Sequence, residues 1–148
     1  MNNIVLAGIA CTALAFAPTA SADVPGLAPF VGQWYGMRES VVIDSSGNGH
    51  FHYMDFNLCP SCSMADTKYS TVDYTLTSVS NGTASGSVTA SSDTQGYTIG
   101  GSSGVLGVGK PVTTKLSPKS SGETLQLTIG GVGEGMFCTA ANAHQCGD

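Results

Sequence analysis

Charge is scarce in this chain. Only 10 % of its 148 residues are Asp, Glu, Lys or Arg, five of them basic and ten acidic, for a net charge of −5. All of them lie after residue 22, and no basic cluster occurs. Phosphate backbones are held by Lys and Arg that displace counterions, so a nucleic-acid partner is excluded. An anionic membrane surface is disfavoured for the same reason. Sustained helical periodicity is absent too, and no serine sits in the G-x-S-x-G setting of a nucleophile elbow. There is a single tryptophan, Trp34.

What is present begins with one apolar run, residues 4–16, followed by Pro18 and the small-x-small site Ala20-Ser21-Ala22. This reads as a cleavable secretory signal peptide over residues 1–22, too short to anchor in a bilayer. Cys11 lacks the leucine three residues upstream that a lipoprotein site calls for, and the apolar run continues past it. Residues 23–148 then form one domain, exported to an oxidising compartment, secreted or held at the cell envelope. The mature part carries no transmembrane segment.

Ser and Thr alternate with apolar residues throughout that domain, as on the two faces of strands. Val72, Tyr74 and Leu76 alternate with polar residues up to Asn81-Gly82, and Ala84, Gly86, Val88 and Ala90 alternate beyond it. Alternation about Asn-Gly predicts a hairpin. Leu125, Leu127 and Ile129 mark another strand, residues 112–116 a further one stopped by Ser117-Pro118, and residues 132–137 the last. An earlier hairpin turns at residues 45–49 in one of two registers. A five-residue loop sets Val41, Ile43, Phe51 and Tyr53 on one face; a four-residue loop moves His50 and His52 there instead. The first separates apolar from polar residues better and is preferred. Residues 139–145 are the best helical candidate, one turn with Thr139 as N-cap. Seven to eight short strands joined by tight turns predict an all-β fold: a small antiparallel barrel, or alternatively a β-sandwich.

Candidate chemistry is sparse. Cys59, Cys62, Cys138 and Cys146 read as two disulfides, since the Cys59-Pro60-Ser61-Cys62 motif has no helix to stabilise a thiolate and lacks a second C-x-x-C for zinc. Four cysteines allow three pairings; nearness in sequence favours Cys59–Cys62 with Cys138–Cys146. His50 and His52 share a strand face and form a two-ligand pattern that awaits a third group, from His144 or a carboxylate such as Asp55. Asp55 and Asp66 flank the C-x-x-C with nothing to fix their separation. Residues 104–110 nearly match a phosphate loop, but Pro111 stands where Ser or Thr belongs, and a surface loop over residues 100–109 is the plain reading. Asn81-Gly82-Thr83 is a glycosylation sequon whose Asn the turn already explains. No catalytic residue, metal ligand set or cofactor is assigned.

Two stretches carry resemblances. Gly32-Gln33-Trp34, within Phe30-Val31-Gly32-Gln33-Trp34-Tyr35, resembles the G-x-W opening of lipocalins and related calycin barrels, which implies a tryptophan plugging the closed end of a ligand-binding barrel. The family's later motifs are not found. Residues 59–65, 75–93, 116–118, 125–130 and 146–147 together resemble a group of small exported proteins of mycobacteria and related actinobacteria. That resemblance implies export and a common fold and supplies no site. The expectation is therefore a secreted, disulfide-stapled β-barrel that binds or interacts at the envelope, its partner a small apolar ligand or an envelope component. The rivals are a hydrolase or metalloenzyme using His50 and His52, and a structural envelope protein.

Overall fold

A computed structural model describes residues 23–54, 69–92, 106–119 and 122–147. Among these, eight strands run in chain order around a closed antiparallel barrel: β1 (Gly32–Gly36), β2 (Glu39–Ile43), β3 (Asn48–Met54), β4 (Tyr69–Ser80), β5 (Thr83–Ser91), β6 (Pro111–Lys119), β7 (Gly122–Ile129) and β8 (Val132–Thr139). The barrel is the architecture expected, and closure rules out the sandwich. Closing the sheet also removes its edges. The closing seam is short: β1 meets β8 only at Trp34↔Thr139 and Tyr35↔Cys138. A 3₁₀ helix, Ala140–Gln145, packs over both strands at this seam and is tied to β8 by the Cys138–Cys146 disulfide. Thr139 sits at its N-cap position, but its hydroxyl accepts no capping bond from the backbone; Asn142 Nδ2 instead donates to the Thr139 hydroxyl at 3.5 Å. Cys59 and Cys62 lie outside the described residues, as do Asp55 and Asp66.

The β2–β3 hairpin takes the five-residue loop. Val41 pairs with Phe51 and Ile43 with Gly49, which sends Val41, Ile43, Phe51 and Tyr53 inward. Asp44 fixes this register. Its carboxylate accepts from the Asn48 amide N–H (2.8 Å) and from Asn48 Nδ2 (2.9 Å), closing the loop over Gly47. Burial is the largest single effect and raises the Asp44 carboxyl, but these bonds and the Ser46 and Gly47 amides together outweigh it and hold the pKa below its ordinary value.

The β4–β5 hairpin turns at Asn81-Gly82, both residues at positive φ. Two bulges interrupt its alternation, at Thr77 and at Thr89. The second puts Ala90 opposite Asp73 on the outer face, whereas alternation alone placed it with Val88 inside. Strand β6 also runs through Pro118 where a stop was expected. Its pairing with β5 ends at Lys115, so beyond that point Pro118 has only β7 beside it, and its missing N–H breaks no ladder bond.

The interior is filled. Phe51, Tyr53, Tyr74, Phe137 and the aliphatic side chains of β2, β4, β6 and β7 make one buried cluster. Residues 23–31 close one end. Leu27 and Phe30 enter the core, Val24 reaches the Gly47 turn, and Gly26 packs on Val79 beside the β4–β5 turn. Trp34 is buried above this floor, its indole N–H donating to the Phe30 carbonyl at 3.0 Å. The opposite end, where β1 turns into β2, is the mouth.

Candidate functional site at the barrel mouth

Two acids lie on the inner side of the mouth. Glu39 opens β2, two residues ahead of inward Val41 and so on the same face. Glu134 is the extra residue of a bulge in β8: Leu127 pairs with Gly135 and Thr128 with Gly133, leaving Glu134 without a cross-strand partner. The bulge turns it inward, where it is only 8 % exposed and its Oε1 has no hydrogen-bond partner. Burial raises Glu39 to a pKa of about 7. Burial, and then the neighbouring Glu39 charge, raise Glu134 to about 8. At neutral pH the pair thus carries less than two negative charges.

Glu39 also lines a cleft of about 550 Å³ at the rim, with Met37, Met54, Gly135, Met136, Gln145, Cys146 and Gly147. Three methionines from the β1–β2 turn, the end of β3 and β8 form its apolar walls, and the disulfide-tied tail forms another. Gly135 is needed there: at φ +139° it carries the chain past Glu39, whose Oε2 lies 3.6 Å from where a Cβ would stand. Arg38, the chain's only arginine, sits at the turn with φ +59° and points Nη1 at the Met54 sulfur, 3.8 Å away.

The sequence-nominated histidines are elsewhere, on the outer wall. His50 Nδ1 meets Asp73 Oδ1 at 2.5 Å, each side chain half exposed. His52 stacks on Tyr69, ring centroids 4.6 Å apart. Among the described residues no third His, Cys, Asp or Glu joins them to make a metal-binding group. His144 is exposed on the C-terminal 3₁₀ helix. In the near-phosphate loop, Gly109 N–H donates to Val88 O and Lys110 N–H to Gly107 O, so these amides serve the fold and do not face outward to an anion. Leu106 there is buried in the core, unlike the plain surface loop expected.

Neither Glu39 nor Glu134 was nominated from sequence. For Glu39 the signal existed: the preferred register, extended two residues back, turns it inward. No protein-family model matches this chain, nor does any curated protein or solved structure.

Proposed function

We propose that this chain is an exported binding module of the cell envelope whose ligand site is the mouth cleft. The cleft walled by Met37, Met54 and Met136 above a filled barrel carries this reading. Among the described residues the interior is one packed apolar cluster, so recognition is assigned to the rim, where unbranched thioethers adapt to an apolar surface. The N-terminal apolar run with its Ala20-Ser21-Ala22 site supports export, and the Cys138–Cys146 bond suits an oxidising compartment. A structural envelope role is the second reading, favoured by the same packed core. Two measurements test the proposal. The intact mass of the product should correspond to cleavage after Ala22; a full-length or lipid-modified species removes the basis for export. An NMR titration with 1-octanol should shift Met37, Met54 and Met136 methyl resonances saturably. Uniform or absent shifts leave the structural reading.

A further inference from the structure

We propose that the mouth cleft takes an amphipathic cation: an ammonium head set against Glu39, with Glu134 buried next to it, and an apolar body against Met37, Met54 and Met136. This rests on reading the mouth as the ligand site. Three observations lead to it. Glu39 lines the cleft, and Glu134 beside it is buried with an oxygen that lacks a donor, so negative charge at this point has little hydrogen-bond compensation. The charge that acts on Glu134 is that of Glu39, and a cation beside Glu39 would offset that repulsion. The remaining cleft wall is mainly thioether and glycine, with Gln145 and the disulfide-bonded Cys146 beside them, which suits an alkyl or aryl body. An anionic ligand would add to the repulsion. A hard divalent ion would need more oxygen ligands than two carboxyls beside apolar walls.

Among the described residues, the charged groups at the cleft are few. Within the cleft Glu39 is the ionisable side chain, and Arg38 at the adjoining turn is directed to the Met54 sulfur. Cation binding would favour both carboxylates in their ionised form. Binding near pH 7 therefore releases protons, and affinity rises with pH until both acids are ionised.

The test uses three probes that share one apolar body: octylamine, 1-octanol and sodium octanoate, titrated into the purified protein by calorimetry at pH 7. Octylamine should bind about tenfold or more tighter than octanol, and octanoate weakest. Its affinity should rise between pH 6 and pH 8.5, and the apparent enthalpy should vary with buffer ionisation enthalpy as protons are released. Glu39→Gln and Glu134→Gln should each reduce the preference for amine over octanol, while octanol still binds. Equal binding of octylamine and octanol, or amine affinity that falls with pH, overturns the cation assignment and leaves the apolar mouth standing. If none of the three binds, the mouth is not a ligand site and both readings fall.

Discussion

Replacing Glu134 with Gln should make the barrel more stable at alkaline pH and lessen its loss of stability with rising pH, leaving the smaller part due to Glu39. In the unfolded chain Glu134 titrates near 4.5; in the barrel it holds its proton up to about 8, and Glu39 to about 7. The folded state thus binds more protons between these limits. Stability is unaffected by the pair below about pH 4.5 and declines as pH rises through the folded values. For Glu134 the full shift would correspond to roughly 5 kcal/mol. Local relaxation and water entry lessen the penalty on a buried charge, so about 2 kcal/mol is the loss expected between pH 5 and pH 9. In Glu134→Gln the amide cannot ionise. Urea unfolding should give values within about 1 kcal/mol of the natural protein at pH 5 and about 2 kcal/mol above it at pH 9, a gain of roughly 8 °C in Tm. Comparing the two proteins at each pH cancels groups common to both. A natural protein equally stable at pH 5 and pH 9, or a variant that keeps the slope, would refute the buried acid pair.

Three further outcomes are expected. Replacing Cys138 and Cys146 together by Ala opens a nine-residue loop, eight apart in sequence, and should cost about 2–3 kcal/mol while the far-UV spectrum stays β; an unchanged Tm would mean the tail does not brace the β1–β8 seam. Gly86→Ala puts a Cβ 1.8 Å from the Thr75 carbonyl oxygen, between the two bulges of the hairpin, and should lower stability by about 3 kcal/mol; a loss below about 1 kcal/mol would show that the strands part freely there. His50→Asn with His52→Asn, on the half-exposed outer wall, should change urea stability by no more than about 1 kcal/mol in all; stoichiometric zinc or copper in the natural protein, lost in the variant, would instead revive the metalloenzyme reading.

The parts of this fold that were legible in the sequence are those held by short-range rules. Asn81-Gly82 names its turn, and Val41, Ile43, Phe51 and Tyr53 name their face because a one-residue slip would bury His50 and His52 instead. What resisted reading is where one residue changes the phase. The bulge at Thr89 sends Ala90 outward, and the bulge at Glu134 sends a carboxylate inward where simple alternation gives no warning. Pro118 misleads for another reason: its tolerance depends on how far β5 reaches along β6, which is a long-range fact. The site itself was invisible for the same cause. Met37, Met54 and Met136 come from three separate elements, and only barrel closure brings them to one cleft.

The acid pair is the feature that packing alone does not account for. The largest fully buried side chains among the described residues are apolar or aromatic, and of the buried polar ones, Ser70, Thr114, Thr124 and Glu134, the acid is the one that can carry a charge. Two carboxyls at the mouth lower stability at neutral and alkaline pH, and neutral residues there would remove the cost. Proteins retain such destabilising groups where a ligand needs them. The double variant Glu39→Gln with Glu134→Gln separates this explanation from a merely tolerated flaw. If the acids serve recognition, the double variant should gain stability at pH 8 and lose its preference for octylamine over octanol together. If it gains stability and the preference never existed, the pair is a flaw that the barrel tolerates, and the mouth selects its ligand by apolar contact alone.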